Sequence, residues 1–334
     1  MILGIERPLV LSPMVDVTDA AFRSVASEWG ADITCSEMVS AAGLVNGNRK
    51  SWRLVEPWPG EAPYGVQLMG GDPDIMGRAV AAVSERVTPD FIDLNLGCPS
   101  PNILRSCAGG FLLNDSKQAR QVIQAAVDAT DLPVTVKMRI GPTVDKQTFL
   151  DVGLEAQAAG AAWCTLHGRT VAQGYSGDAD WTSIARLVEG LDIPVIGNGD
   201  LRGPDDVVRM REATDCAGFF IARAAMHDPT VFRPMRQALD GADPDAPADL
   251  GLRLAALTTY LERAATRGEV PLAVLKRQVT RFLSAAPGAK KLRAAVHGAP
   301  DAAGVRELLE VARLDHDPGT GVEHGREGQP RHDR

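Results

Sequence analysis

Short apolar runs rich in β-branched residues recur along the chain, and longer stretches with helical periodicity separate them. This alternation predicts parallel strands joined by crossover helices. We count eight such runs, at residues 9–12, 33–37, 64–68, 91–94, 134–137, 163–167, 194–197 and 218–221. Eight strands favour a TIM (β/α)8 barrel over a doubly wound sheet, which would normally carry a GxGxxG turn after its first strand. The chain has no such motif.

Helices are predicted between these strands, each from an acidic or hydroxyl start, at residues 19–28, 74–86, 116–128, 151–159 and 205–212. Beyond residue 238 the pattern changes to an acidic, Pro-containing linker and then to helical stretches up to about Arg313. We therefore predict a barrel over residues 1–238 and a small C-terminal helical domain over 245–314. Residues 315–334 offer almost nothing to bury, which predicts a disordered tail.

Length and composition agree with this architecture. A chain of 334 residues suits a barrel of roughly 250 residues with an appendage, and its 45% apolar and 23% charged residues are typical of a globular protein. The N-terminus lacks the apolar core of a signal peptide, and no apolar run reaches the length of a membrane span. Five scattered cysteines without a CxxC pair argue against a disulfide framework and a zinc site. We expect a cytoplasmic protein without a membrane or metal partner.

Charge is unevenly distributed along the chain. The net charge of −8 would repel a polyanion and lowers the expectation of a nucleic-acid partner. The segment between residues 263 and 293 is nevertheless basic and holds a single acid, Glu269. A solvated helix face and a phosphate-binding surface explain it equally well. Its cations include Arg267, Lys276, Arg277, Arg281, Lys290 and Lys291.

Polar residues follow the predicted strands where a barrel places its active site, at the carboxyl ends. Any one of them could simply cap the next helix. Eight strand ends that are all polar or reactive predict an active site. They carry Pro13, Met14, Glu37, Met38, Gln67, Asn95, Lys137, Arg139, His167, Arg169, Asn198, Gly199, Asp200 and Arg223.

The last two loops resemble a phosphate site. Glycines at 197 and 199 permit close backbone approach, and Arg223 supplies positive charge, although a turn with positive φ would explain the glycines as well. Lys137 has two interpretations. It either neutralises the negative charge of a reduced flavin at the barrel mouth or forms an ion pair with Glu37.

Cys98 lies in the sequence DLNLGCP, where a strand end runs into a Gly-Cys-Pro turn. Such a turn would present the thiol on a stiff loop over the barrel mouth. A thiol is mostly protonated at neutral pH, so it can donate a proton as well as act as a nucleophile. Cys35, Cys164 and Cys216 fall in or beside strands and are predicted to be buried apolar residues.

Several motifs together resemble the tRNA-dihydrouridine synthases: SPMVDVTDAAFR, SEM, DLNLGCP, VTVKMRIG, LHGRT and IPVIGNGDL, in that order. The resemblance spans most of residues 8–235. It implies an enzyme that reduces the C5–C6 double bond of uridines in tRNA. The reductant in this family is FMN, which is itself reduced by NADPH. It also implies that Cys98 is the proton donor and that Asn95, Arg139 and Arg169 meet the uridine or nearby phosphates. The positions that match contacts to FMN are Pro13, Met14, Gln67, Lys137, His167, Asn198, Gly199, Asp200, Ala222 and Arg223.

Under this resemblance the helical domain would hold tRNA through Lys276, Arg277 and Arg281, with Arg49, Lys50 and Trp52 assisting from the loop after the second strand. No obligatory protein partner is expected. Two positions depart from the family pattern. Ala222 stands where the family usually has glycine, and we expect weaker retention of FMN at worst. The loop that contains Cys107 also differs from the commoner sequence of the family. Two alternatives stay open. One is an FMN-dependent dehydrogenase of a free pyrimidine, and the other is a tRNA-binding protein without redox activity.

Overall fold

The barrel predicted from the sequence is present in the computed structural model, which describes residues 1–268, 271–284, 286 and 288–315. Its strands pair in parallel in the order β1-β9-β8-β7-β6-β5-β4-β2, and β3 pairs with β4. A bridge from Val10 to Ile33 joins the two ends of this sheet and closes the barrel. The strands are β1 Leu9–Leu11, β2 Thr34–Cys35, β3 Val39–Ser40, β4 Tyr64–Met69, β5 Phe91–Leu96, β6 Val134–Arg139, β7 Cys164–His167, β8 Val195–Asn198 and β9 Gly218–Ile221.

Helices surround this sheet and continue beyond it. The barrel helices are α1 Ala20–Glu28, α2 Ala41–Val45, α3 Arg49–Leu54, α4 Pro73–Arg86, α5 Pro101–Arg105, α6 Ser116–Val127, α7 Phe149–Ala158, α8 Trp181–Gly190, α9 Pro204–Thr214, α10 Arg223–His227 and α11 Phe232–Leu239. Short 3-10 helices cover Gly109–Asn114 and Pro229–Val231. The C-terminal helices are α12 Leu250–Thr266, α13 Leu272–Phe282, α14 Lys290–Gly298 and α15 Ala302–Asp315. Apart from Asp315, the tail predicted to be disordered lies outside the described residues.

The second strand is interrupted, which differs from the prediction of one strand over 33–37. The hydroxyl of Ser36 accepts a hydrogen bond from the Gln67 backbone N–H at 3.0 Å and so occupies a donor that a continuous ladder would use. The Glu37 carboxylate turns to accept from the Asp16 N–H at 2.6 Å. The chain therefore leaves the sheet at residues 36–38 and rejoins it as β3.

The predicted starts of five barrel helices agree with the structure to within two residues. Asp19 caps α1 as predicted, by accepting from the Phe22 N–H. Helix α6 begins at Ser116 as predicted, with Asp115 as its cap, and α4 begins at Pro73, one residue before the predicted start, with Asp72 as its cap. The prediction missed α8, whose cap is Asp180, and it placed Arg49, Lys50 and Trp52 in a loop although they lie on α3.

The barrel interior is graded from apolar to polar. Ile33, Phe91 and Trp163, each at or just before the amino end of its strand, pack together at its base, and the Phe91 and Trp163 rings lie 5.1 Å apart. Side chains of a strand alternate between its two faces, so the residues that follow Phe91 on the inner face of β5 are Asp93 and Asn95. The polar end of the interior is therefore the end at which the strands terminate.

The C-terminal helices pack against the barrel through α1. The Tyr260 hydroxyl donates to Asp19 at 3.1 Å, and the Phe22 ring meets the Phe282 ring edge-on at 5.7 Å. Arg281 donates to the Asp16 carbonyl at 2.5 Å. These contacts place the basic helix α13 beside the loop that follows β1. Among the described residues, no helix combines the length and hydropathy required to cross a membrane.

Candidate active site

Cys98 lies at the carboxyl end of β5 and is held through its own backbone. The Asn95 side-chain oxygen accepts from the Cys98 N–H at 2.9 Å and from the Gly97 N–H at 3.1 Å. The Cys98 carbonyl accepts from the Gly110 N–H at 3.1 Å. Because a side chain and a second loop both hold this turn, the half-buried thiol is presented at a defined place over the barrel mouth.

The second loop comes close to the thiol because it includes a glycine. Gly109 has φ +59°, and a Cβ added there would lie 3.1 Å from the Cys98 Cβ and 2.9 Å from Ile103. Helix α5 and a short turn precede Gly109. The turn includes Cys107, which is exposed and has φ +54°. The unusual loop sequence at Cys107 therefore folds back over the Cys98 turn.

Lys137 and His167 lie at the carboxyl end of the interior. The Lys137 ammonium donates to the Asn198 side-chain oxygen at 3.2 Å, and the Asn198 amide donates to the Phe220 carbonyl at 2.8 Å. The ion pair with Glu37, the alternative interpretation of Lys137, does not occur among the described residues. Burial, followed by the charge of Arg139, lowers the pKa of Lys137 to about 8. At neutral pH this residue is still mainly cationic.

His167 is the neutral partner of this cation. Burial lowers its pKa well below the ordinary value, and the positive charges of Lys137, Arg139 and Arg169 act in the same direction. Its ring nitrogen Nε2 lies 3.5 Å from an Arg169 nitrogen. A neutral imidazole can donate from one nitrogen and accept at the other, so this residue can bind a ligand that also contacts the lysine.

The loops after β8 and β9 meet at Asp200. Its carboxylate accepts from Arg169 at 2.8 Å, from Arg223 at 2.7 Å and from the Ala179 N–H at 2.8 Å. Partial burial opposes ionisation, but the Ala179 hydrogen bond and the two guanidinium groups outweigh it and lower the pKa of Asp200. This carboxylate therefore stays charged and fixes the position of Arg223, which keeps half of its side chain exposed.

Arg139 and Arg169, predicted near the substrate, are buried and contact loop carbonyls. Arg139 donates to Gly97 at 2.9 Å, to Thr170 at 3.0 Å and to Gly174 at 2.7 Å. Arg169 donates to Gly177 at 2.5 Å in addition to its pair with Asp200. These contacts fix the two loops that surround the mouth, so any contact with a ligand has to come from the remaining donor atoms of each guanidinium.

Tyr175 was missed by sequence reasoning. It is 65% exposed, and its ring lies 5.5 Å from the Arg139 guanidinium and 5.9 Å from that of Arg223. The available signal was a single aromatic residue in a Gly- and Ser-containing segment directly after a strand end, where burial is difficult. Tyr175 shares one cleft with His167, Asn198, Gly199, Asp200, Phe220, Ala222 and Arg223.

The remaining predicted residues divide between the barrel mouth and the C-terminal helices. Pro13 and Met14 follow the carboxyl end of β1, and Gln67, buried within β4, accepts from the Asn95 amide at 2.9 Å. Of the three cations predicted to hold tRNA, Lys276 donates to the carbonyls of His297 and Ala299, and Arg281 donates to that of Asp16. Of these three, Arg277 is exposed and the other two are half-buried. No cluster of three or more residues suited to a metal ion occurs in the described part of the chain.

Residues 10–316 match the family model for dihydrouridine synthase (Dus). The chain belongs to this family. The predicted resemblance is thereby confirmed, and the Dus match includes both the barrel and the C-terminal helices.

Curated Dus relatives match over much of their length. A probable tRNA-dihydrouridine synthase of Treponema pallidum is 37% identical over 71% of this chain and 72% of its own. One of Aquifex aeolicus is 30% identical over 91% of this chain and 96% of its own. The tRNA-dihydrouridine synthase B of Pseudomonas syringae is 33% identical, covering 91% and 92% of the two chains.

Solved structures share the barrel at low sequence identity. Histamine dehydrogenase from Rhizobium has a TM-score of 0.51 at 14% identity, over 77% of this chain and 49% of that chain. The 6-hydroxypseudooxynicotine amine oxidase of Pseudomonas geniculata has a TM-score of 0.54 at 15% identity, over 77% and 50% of the two chains. This chain thus spans about half of each neighbour, and the likeness concerns the fold alone.

Proposed function

We propose that this Dus family member is a tRNA-dihydrouridine synthase that reduces the C5–C6 double bond of particular uridines in tRNA, using FMN reduced by NADPH. The observation that carries the proposal is the Cys98 turn, which the Asn95 side chain holds at the barrel mouth that also contains Lys137 and His167. Neither binding of RNA nor packing of the barrel requires a thiol presented in this way. The protein acts in the cytoplasm in this proposal.

The barrel mouth suits an anionic, phosphorylated flavin. In the described chain the Lys137 ammonium, which can donate three hydrogen bonds, donates to one acceptor, Asn198. The buried Thr165 hydroxyl beside it in the sheet has no hydrogen-bond partner among the same residues. At the other end, Gly199 has φ +122°, and a Cβ added there would lie 2.7 Å from the Ala179 Cβ, so the backbone of this turn requires glycine. Ala222 has φ −116°, outside the left-handed region that favours glycine. We infer that Lys137 meets the flavin ring and that Arg223 and the Gly199 backbone meet its phosphate.

Protein side chains then complete the reduction. When bound, reduced FMN supplies a hydride for C6 of the uracil. The Cys98 thiol gives its proton to C5, where the electron pair of the former double bond is left, and the resulting thiolate regains a proton from water. Lys137 keeps positive charge beside the ring at neutral pH. The loops that Arg139 and Arg169 hold narrow the approach, so the target base must leave its stack to reach the thiol.

Transfer RNA can approach the exposed basic face of the C-terminal helices. Arg277 on α13 and Lys290 and Lys291 on α14 are exposed, while Arg49 and Lys50 on α3 are exposed on the barrel. Phosphate contacts of this kind provide affinity and orientation rather than sequence readout. They compensate locally for the net charge of −8.

An anaerobic half-reaction tests the proposal. The protein is reconstituted with FMN, reduced with NADPH and mixed with unmodified tRNA, free uracil or orotate, while flavin absorbance is followed and dihydrouridine is assayed by mass. Reoxidation with tRNA that yields dihydrouridine is the expected result. Reoxidation by a free pyrimidine instead would favour the dehydrogenase alternative, and tRNA binding without any flavin chemistry would favour the redox-inactive one.

Replacing Gly199 by Ala is expected to weaken FMN affinity by about tenfold or more, because strain at such a backbone position amounts to roughly 1–3 kcal/mol. The new Cβ would lie 2.7 Å from the Ala179 Cβ and 3.0 Å from the His167 ring. Quenching of flavin fluorescence on titration measures the affinity. Gly203→Ala is the matched control, because nothing lies within 4 Å of a Cβ there. Equal affinity in the two variants would contradict the assignment of Gly199.

Replacing Arg277, Lys290 and Lys291 together by Ala is expected to raise the KM for tRNA. The slope of log affinity against log salt should fall by about 2, because each lost phosphate contact contributes about 0.7–0.9 to this slope. The rate at saturating tRNA should stay close to that of the unmodified protein. The control replaces three exposed cations on the barrel, Arg78, Lys117 and Arg120. An identical salt slope in both triple variants would exclude these C-terminal cations from tRNA binding.

A further inference from the structure

Asp93 is a buried carboxylate that has no part in the proposed chemistry. It is 1% exposed and lies on β5 two residues before Asn95. Its two oxygens accept from the Thr135 hydroxyl and from the Gln67 side-chain amide, each at 2.6 Å. No ion pair to Asp93 occurs among the described residues. An unpaired carboxylate inside a barrel is costly, and an apolar residue would be the simpler choice for packing alone.

A chain of hydrogen bonds connects this carboxylate to the Cys98 turn. Gln67 donates through Nε2 to Asp93 and accepts through Oε1 from the Asn95 amide at 2.9 Å. The Asn95 oxygen in turn accepts from the backbone N–H groups of Gly97 and Cys98. Two side-chain amides therefore link Asp93 to the residue that bears the thiol.

The two ends of this chain fix the orientation of both amides. An ionised carboxylate can only accept hydrogen bonds, and a backbone N–H can only donate one. With an acceptor at one end and donors at the other, Gln67 has to direct its nitrogen to Asp93, and Asn95 has to direct its oxygen to Cys98. If either amide turned over, two donors or two acceptors would face each other inside the barrel, at a cost of about 1–3 kcal/mol.

We propose that Asp93 is a positioning residue for Cys98: through the amides of Gln67 and Asn95 it fixes the turn that carries the thiol. This inference rests on the proposed function in so far as Cys98 is the proton donor. Asp93 itself does not contact the thiol. It contacts Gln67, which matches an FMN-contacting position, so the geometry of the Cys98 turn has to be measured with FMN saturating.

Three variants of this carboxylate environment separate positioning from ordinary packing. Asp93→Leu removes the acceptor for Gln67. Asp93→Asn keeps one, because its oxygen can face Gln67 while its nitrogen donates to the Thr135 hydroxyl. Thr135→Val is the matched control, since it removes the other hydrogen bond to the same carboxylate and leaves the chain of amides intact.

Alkylation of Cys98 by iodoacetamide reports on the turn without tRNA or NADPH. It is measured with saturating FMN in a Cys107→Ser background, because Cys107 is exposed whereas Cys35, Cys164 and Cys216 are buried. Asp93→Leu is expected to release the turn and to accelerate the alkylation of Cys98 about tenfold. This factor corresponds to the free-energy cost of one misdirected buried amide. Its rate of flavin reoxidation by tRNA should fall about tenfold in parallel. Asp93→Asn and Thr135→Val should stay within about threefold of the parent in both measurements.

Opposite changes in thiol reactivity and turnover are the signature of a displaced proton donor. Parent-like alkylation in Asp93→Leu, or equal acceleration in Thr135→Val, would overturn the inference. Should Asp93→Leu fail to fold, Gln67→Met interrupts the same chain, and the same acceleration of alkylation is required of it. If the parent protein does not reduce tRNA at all, the proposed function fails, but the alkylation rates still decide whether Asp93 positions Cys98.

Discussion

Replacing Cys98 by Ala is expected to slow flavin reoxidation by tRNA by about 10²–10⁴-fold, the usual contribution of a positioned general acid. Reduction of the flavin by NADPH should proceed at nearly the parent rate, because the thiol donates only in the second half-reaction. The turn itself should survive the change, since Asn95 holds it through the backbone N–H of residue 98 and not through the side chain. Stopped-flow absorbance measures the two half-reactions separately, and mass analysis of tRNA measures the product.

The control for this variant is Cys107→Ala. This cysteine belongs to the same loop region and is exposed, but the contacts that hold the Cys98 turn come from Gly110 and Asn95. Parent-like turnover is expected from it. If the two alanine variants were equally active, the proton at C5 would have to come from another donor, and Cys98 would have only a structural role.

The location of the candidate site was predictable because it follows from strand order. Parallel strands of a barrel all end on one side, so residues as distant in sequence as Asn95, Lys137 and Asn198 had to approach one another. The structure places Lys137 in hydrogen-bond contact with Asn198, 61 residues further along the chain. The roles assigned to these residues stay predictions until a ligand is tested.

The pairing of polar groups was not predictable in the same way. Asp93 alternates with apolar residues as an inward-facing strand position does, but nothing in its own segment identifies its partners Gln67 and Thr135, which come from two other strands. The basic segment is a second example. Its composition left a solvated helix face and a phosphate-binding surface equally open, and in the structure Lys276 donates to two carbonyls at the end of α14 and Arg281 to the loop after β1. Charge along a sequence does not distinguish a cation that binds backbone from one that faces solvent.

Replacing Arg23 by Ala is expected to lower the free energy of unfolding by about 3–5 kcal/mol, the usual cost of leaving one member of a buried ion pair alone. The Arg23 and Glu61 side chains are each 1% exposed, and they meet at 2.7 Å. Arg23 also donates to the carbonyls of Thr18 and Glu56, both at 3.0 Å. Urea denaturation followed by circular dichroism measures the change.

The size of this effect depends on burial rather than on the presence of an ion pair. Arg120→Ala breaks a pair with Glu155 at 3.0 Å in which the side chains are 48% and 27% exposed, so it should cost at most about 1 kcal/mol. Glu61 also accepts from the Thr34 hydroxyl and the Trp58 N–H. If the Glu61 side chain is truncated, both of these donors lose their partner. Arg23→Met combined with Glu61→Gln should therefore be less destabilising than the sum of the single changes, because no buried charge remains unpaired. Equal losses in Arg23→Ala and Arg120→Ala would mean that water reaches the Arg23 site in solution.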